Sequence, residues 1–168
     1  MSEYICRIPT IEEYEKKWNY EIENATSDRY NWLIWKKDGM LRFERKQIIP
    51  YFGFLDNEII CEATAALDPA IVQNPEGLVD DKTVYLYAFR TNKEYRGNGY
   101  FSKLFKYMIE DLKNRGYKKA TLGVEPEEIK NKEIYKKYGF TNLIKTCHES
   151  YPNGEKIVVE YYSKNLGD

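Results

Sequence analysis

Tyr95-Arg96-Gly97-Asn98-Gly99-Tyr100-Phe101-Ser102-Lys103-Leu104 is the stretch on which the reading of this chain turns. Before it comes an apolar, strand-like run, Val84 to Arg90. After it, Phe101, Leu104, Phe105, Met108, Ile109 and Leu112 recur at helical spacing, with Lys103, Lys106, Glu110 and Lys113 on the other face. A glycine-rich turn from strand into helix leaves unpaired backbone N–H groups at the helix start, where the helix dipole adds partial positive charge. Such a turn suits an anion, phosphate above all. Gly97 and Gly99 put no Cβ in the way of a ligand, and Arg96 adds a permanent charge with a planar donor fork.

A plain strand-to-helix turn with two glycines fits the same residues. Two nucleotide motifs do not. The P-loop needs Gly-x-x-x-x-Gly-Lys-Ser/Thr, and no such run occurs. The dinucleotide pattern Gly-x-Gly-x-x-Gly has Ser102 where its third glycine belongs. It also stands at the first strand of its unit, whereas this turn lies past mid-chain.

A second block lies downstream, Ile134-Tyr135-Lys136-Lys137-Tyr138-Gly139-Phe140. Together the two blocks resemble the GCN5-related N-acetyltransferase (GNAT) family. That family's phosphate loop reads Arg/Gln-x-x-Gly-x-Gly/Ala, matched by Arg96 and Gly99. Its later helix often carries Tyr-x-x-x-Gly-Phe, matched by Tyr135, Gly139 and Phe140. Phe101 departs from the pattern, standing where the family usually has Gly or Ala. A bulky ring there either reshapes the phosphate pocket or points into the core.

The chain's 168 residues suit one domain spanning 1–168. A net charge of −1 argues against a nucleic-acid partner. Cys6, Cys61 and Cys147 are odd in number and form no C-x-x-C, which fits free thiols in a reducing cytoplasm. No apolar run approaches a membrane span, and the N-terminus lacks the pattern of a signal peptide.

In chain order, Tyr4 to Ile8 reads as a strand ended by Pro9. Thr10 and Glu13 make a capping-box pattern, opening a helix with Ile11, Tyr14, Trp18 and Ile22 on its apolar face. Ser27 and Asp28 suit the start of a second helix through Tyr30, Leu33, Ile34 and Trp35, broken near Asp38-Gly39. Ile48 to Leu55 and Glu58 to Leu67 read as a hairpin around Asp56-Asn57. Asp68 to Lys82, with Pro69, Pro75 and Gly77, is a long loop, either a lid or a surface excursion. Lys119 to Glu125 is the next strand, and a helix runs from about Pro126 to Gly139. Asn142 to Ser150 and Lys156 to Tyr162 flank the turn Pro152-Asn153-Gly154.

This order, β-α-α-β-β-β-α-β-α-β-β, places the chain in the α/β (α+β) class. It again resembles the GNAT fold, a mixed, mostly antiparallel sheet of about seven strands flanked by four helices, with splayed central strands. The resemblance implies acetyl-CoA as co-substrate. It assigns the pantetheine arm to backbone groups of Phe89 and Thr91. It assigns the pyrophosphate to amides from Gly97, Asn98, Gly99, Tyr100, Phe101 and Ser102, beside Arg96. Where the family often has a CoA-contacting Asn, seven residues before its tyrosine, this chain has Glu128. Asn131 takes that role if the helix start is shifted.

The implied reaction moves an acetyl group from a thioester to an amine. An amine of pKa about 10.4 is neutral at pH 7 to roughly one part in 2,500, a handicap of about 4.6 kcal/mol. A base must therefore take a proton, directly or through water. By the family pattern Tyr135 is the acid toward the CoA thiolate. With an ordinary phenol pKa, full transfer to a cysteine-like thiolate is uphill by about 2 kcal/mol, so a hydrogen-bonding role is expected. Tyr138 competes locally for that role. For the base, Glu125 at a strand end and Glu62 within a strand are the candidates; a solvated or paired glutamate fits both equally. His148, the single histidine, reads as structural or surface, and no spacing suggests a metal.

The expectation is a cytoplasmic N-acetyltransferase acting on a primary amine, either a small molecule or a peptide N-terminus or lysine. The alternative is a non-catalytic CoA-binding sensor or structural subunit. A homodimer paired through the last strands is left open.

Overall fold

The computed structural model describes residues 2–167. Among these residues seven strands and four helices follow in the order β1 (Tyr4–Arg7), α1 (Ile11–Asn24), α2 (Arg29–Glu44), β2 (Ile48–Leu55), β3 (Glu58–Ala66), β4 (Thr83–Thr91), α3 (Tyr100–Asn114), β5 (Lys119–Val124), α4 (Ile129–Lys137), β6 (Asn142–Ser150) and β7 (Lys156–Asn165). The strand order is β1-β2-β3-β4-β5-β7-β6, and β4 and β5 run parallel. By its contacts the chain divides into two compact units. One holds the chain up to Thr64 with Ala88–Asp111; the other holds Ala65–Tyr87 with Leu112 onward. Among the described residues, no helix is long and apolar enough to cross a membrane.

In the first unit, β1 pairs antiparallel with β2, from Tyr4↔Leu55 to Arg7↔Phe52. Asp56 and Asn57 turn β2 into β3 with φ of 49° and 69°, the left-handed pair that a two-residue hairpin requires. Thr10 and Glu13 form the expected capping box at α1. The face α1 buries differs from the sequence reading, being Tyr14, Lys17 and Ile22, while Ile11 stays 42% exposed.

α2 is one unbroken helix through Asp38-Gly39, contrary to expectation. Gly39 is there for space: a Cβ would meet Trp18 Cζ2 at 2.7 Å and the Tyr14 hydroxyl at 3.0 Å. Glycine thus lets the Trp18 ring of α1 lie against the backbone of α2. Tyr30 and Leu33 are exposed, whereas Asn31 and Gly39 are buried.

In the second unit, the β4–β5 ladder is registered from Thr83↔Lys119 to Leu86↔Leu122, while β5 continues to Val124. β7 pairs antiparallel with both β5 and β6. The 68–82 loop is stitched to β6, an edge strand. The Gln73 side chain donates to Ser150 O at 3.0 Å and accepts from Ser150 N at 2.8 Å, imitating a strand pair. Asn74 donates to His148 O, and Lys145 donates to the carbonyls of Asn74 and Glu76. Leu78 and Val79 are buried with Val159 and Tyr161. The loop therefore covers an edge that would otherwise present unpaired backbone groups, the surface-excursion alternative rather than a free lid.

α3 and α4 end alike. At α3, Tyr117 N donates to Leu112 O and Gly116 N to Lys113 O, with Gly116 at φ 98°. At α4, Phe140 N donates to Tyr135 O and Gly139 N to Lys136 O, with Gly139 at φ 100°. Both are Schellman caps, which need a left-handed residue after the helix. The block Tyr-x-x-x-Gly-Phe is thus a helix stop whose Phe140 is buried and whose geometry fixes the turn carrying Tyr135.

Candidate active site

The loop between β4 and α3 lies wholly in the first unit. Gly97 and Gly99 have φ of 81° and 80°, and nothing lies within 4 Å of where their Cβ atoms would be. Glycine is required there by the left-handed backbone, not by crowding from the protein. The Asn98 amide donates to Tyr95 O at 3.2 Å and Arg96 O at 3.3 Å, holding the loop from inside. Arg96 Nε donates to Thr91 O at 3.0 Å, which anchors the guanidinium at the end of β4. The Tyr4 hydroxyl donates to Tyr100 O at 2.8 Å, tying the first turn of α3 to β1.

Among the described residues, none accepts from the backbone N–H groups of Gly97, Asn98, Gly99, Tyr100 or Phe101, the Asn98 bonds above coming from its side chain. The first backbone bond of the helix is Lys103 N to Gly99 O. These donors border a cavity of about 200 Å³ lined by Thr91, Tyr95, Arg96, Gly97, Gly99, Tyr100, Phe101 and Ser102. Phe101 does two things at once: its ring packs on Phe89 at 5.6 Å and Phe105 at 6.2 Å, and it forms part of the cavity wall. Just upstream, Ala88 has φ 58°, a left-handed residue inside a strand that costs about 1–2 kcal/mol. The strain sits immediately before Phe89 and Thr91.

The second unit holds Tyr135, Glu125 and Asn131. Tyr135 lies in the last turn of α4 and is partly buried. Burial above all, then the charges of Glu128 and Tyr138, push its phenol up to about 12. Glu125 follows β5. Burial first, then a hydrogen bond and the charge of Glu128, raise its carboxyl. Asn131 donates to Glu128 Oε2 at 2.7 Å, so its amide hydrogens are directed to the residue it was expected to replace. His148 is exposed on β6, and its carbonyl accepts from Asn74. Among the described residues, no group of His, Cys, Asp and Glu is arranged to hold a metal.

Glu62, on β3 in the first unit, is 7% exposed. Its Oε2 is buried and takes no hydrogen bond. Lys17 Nζ stands 3.9 Å away, and burial raises the Glu62 carboxyl against the opposing pull of Arg90 and Lys17. Sequence reasoning missed Lys17. The signal that could have found it was a lysine one turn from Tyr14 on the apolar stripe, with Glu21 four residues on.

Residues 7–140 match the acetyltransferase (GNAT) family. The chain belongs to that family. Among solved structures it is similar to a GNAT-family acetyltransferase from Streptococcus pneumoniae, at 19% identity and TM-score 0.72, covering 98% of this chain and 100% of that one. It is also similar to the ribosomal-protein-S18-alanine N-acetyltransferase from Escherichia coli, at 12% identity and TM-score 0.73, covering 99% and 96%. A third is a Salmonella typhimurium structure holding acetyl-CoA as its cofactor, at 12% identity and TM-score 0.66, covering 98% and 95%. At these identities the likeness speaks for the fold. No curated protein matches the chain. Within this GNAT chain, both blocks that carried the resemblance have a structural form: an open helix start and a glycine-capped helix end.

Proposed function

We propose that this chain is an acetyl-CoA-dependent N-acetyltransferase that acylates a primary amine by direct transfer. One observation carries the reading: five amides, Gly97 to Phe101, with no acceptor among the described residues, beside Arg96 and a cavity of about 200 Å³. Open N–H groups at a helix start, with a cation beside them, fit a diphosphate. When bound, acetyl-CoA supplies the acyl group as a thioester. Gly97 to Ser102 and Arg96 hold the pyrophosphate in this reading, and backbone groups of Phe89 and Thr91 hold the arm. One lone pair of the Thr91 carbonyl is already taken by Arg96.

Tyr135 donates a hydrogen bond to the departing sulfur. With its phenol near 12, full transfer to a cysteine-like thiolate is uphill by about 5 kcal/mol, so its proton stays on oxygen. Glu62 takes the proton from the amine, through water because Oε2 is buried. Glu125 is the second candidate, with a carboxyl also raised but shared with Glu128. A base with a raised pKa is better matched to an ammonium than an ordinary carboxylate.

The acceptor class is a small amine or a peptide N-terminus or lysine. Protein acceptors find support in the Escherichia coli enzyme named above and in a Salmonella typhimurium acetyltransferase that modifies the N-terminal serine of ribosomal protein L7/L12. The test is a melting curve with acetyl-CoA. At 100 times the dissociation constant, binding adds about 2.7 kcal/mol. For a chain of this size that raises the midpoint by roughly 5–11 °C. No shift at millimolar acetyl-CoA removes the reading. A shift without turnover across a panel of amines, N-terminal peptides and lysine peptides favours the sensor alternative.

A further inference from the structure

Lys17 is 3% exposed, and its surroundings are built. Its ammonium donates to Glu21 Oε1 at 2.9 Å and to Asn92 Oδ1 at 2.9 Å, and lies 4.7 Å from the centre of the Tyr20 ring. Asn92 is itself fixed against β3: its Nδ2 donates to Ile59 O at 3.2 Å and its backbone N–H to Ile60 O at 2.8 Å. An ammonium has three N–H groups, and two are engaged here. The remaining neighbour, Glu62 Oε2, stands at 3.9 Å, beyond hydrogen-bond distance.

A pair serving stability alone would close that gap, because a buried carboxylate oxygen without a donor is costly. Here the Lys17 end is held away. Lys17 is fixed by Glu21 and Asn92, and Glu62 Oε2 is left with its lone pairs unused. We propose that Lys17 is a positioning residue for proton removal: held at this distance, its charge, together with that of Arg90, favours the carboxylate form of Glu62 against burial while leaving Oε2 open to accept a proton. This rests on Glu62 being the base of the reading above. One proton passes from R–NH3+ through water to the carboxylate, giving R–NH2 and neutral Glu62. Glu62 returns that proton to solvent after turnover.

The charged groups facing Glu62 are Lys17 and Glu21 from α1 and Arg90 from β4. Arg90 is held over the Trp32 ring at 4.4 Å. Burial and Glu21 push the Glu62 carboxyl up; Arg90 and Lys17 pull it down. Replacing Lys17 by a neutral residue must therefore raise it, and replacing Glu21 must lower it. The two variants have opposite signs, which general loosening of the fold does not produce.

The experiment follows the Glu62 side-chain carboxyl by ¹³C NMR across pH in the full chain, with Glu62→Gln identifying the signal. Lys17→Met is expected to raise the midpoint by about one pH unit or more, Lys17→Arg by much less. Glu21→Gln lowers it, and this variant carries the test if Lys17→Met does not fold. In parallel, kcat/KM is measured against a tripeptide amide with N-terminal alanine as the probe amine. Its acid limb moves with the NMR midpoint, and the alkaline plateau survives. A midpoint indifferent to both Lys17→Met and Glu21→Gln overturns the role of Lys17 while leaving Glu62 as base. Unchanged kcat in Glu62→Gln overturns the base reading and this inference with it, whatever the NMR shows.

Discussion

α3 and α4 finish with the same glycine-capped turn but begin in opposite ways. At the start of α3 the amides of Gly97 to Phe101 have no acceptor among the described residues, and no carboxylate lies in the first turn. The start of α4 carries its own negative charge. Glu128 N donates to Glu125 O and Ile129 N to Glu127 O, while Glu128 Oε2 accepts from the Asn131 side chain and caps no backbone N–H. Both helices offer the same dipole and the same orphan donors. Only α4 begins beside carboxylates, those of Glu125, Glu127 and Glu128. The lesson is that helix physics makes an anion site cheap, and the local sequence decides whether the chain uses it up. Gly-Asn-Gly at α3 brings no charge of its own; Glu125, Glu127 and Glu128 put negative charge beside the start of α4.

The largest break in this contrast comes from Gly99→Val. At φ 80° a β-branched residue is strained by at least about 1–2 kcal/mol, so the turn must change shape. Loss of the acetyl-CoA-induced rise in melting temperature is expected, with the fold retained by circular dichroism. A variant that still binds with wild-type affinity would mean that the open donors are not the site.

Tyr135→Phe acts at the other helix, near its shared end. Removing the phenol hydroxyl is expected to lower kcat by about 10²-fold, the low end for loss of a positioned proton donor. Acetyl-CoA affinity, read calorimetrically, stays unchanged. A kcat equal to wild type takes Tyr135 out of the mechanism.

Gly39→Ala separates the two uses of glycine. Gly99 has space but a left-handed backbone; Gly39 has no space, since an added Cβ would lie 2.7 Å from Trp18 Cζ2. Overpacking of this kind costs about 1–3 kcal/mol. A fall of roughly 2–12 °C in melting temperature is expected. The acetyl-CoA shift should persist, since the loop is untouched.

That pair of glycines also explains what was legible in the sequence and what was not. The turn at Gly97 and Gly99 could be read because strand, glycines and amphipathic helix are contiguous. The Tyr135–Phe140 block could be read for the same reason. Gly39 could not, because its partner Trp18 lies on another helix, and a glycine near an aspartate looks like a helix end. Lys17 was hidden by its chemistry: a lysine on a helix is normally solvated, and only Asn92, 75 residues away, explains its burial. The 68–82 loop looked like a lid because its anchors on β6 are 69 to 77 residues distant. Local patterns were visible, and contacts between distant polar groups were not.

The smallest effect tests the charge at the start of α4. In Glu128→Gln the amide can still bond Asn131 and Glu125, but the negative charge is gone. Glu125 is raised first by burial and then by the Glu128 hydrogen bond and charge, so its midpoint should fall only part of the way to an ordinary carboxylate. Tyr135, raised by burial and next by Glu128, should fall slightly from about 12. For an acid whose folded pKa lies above its unfolded value, ionisation destabilises the fold as pH rises from the unfolded to the folded midpoint. Lowering that midpoint shrinks the penalty that Glu125 imposes at pH 7, so the Glu125 contribution to stability should improve slightly at pH 7 and stay level at pH 4. The ¹³C titration of Glu125 reads the cause directly. A midpoint that rises on removing Glu128 would mean that its carboxylate bonds the ionised form of Glu125 through a shared proton. In that case hydrogen bonding sets the Glu125–Glu128 pair, and charge is secondary.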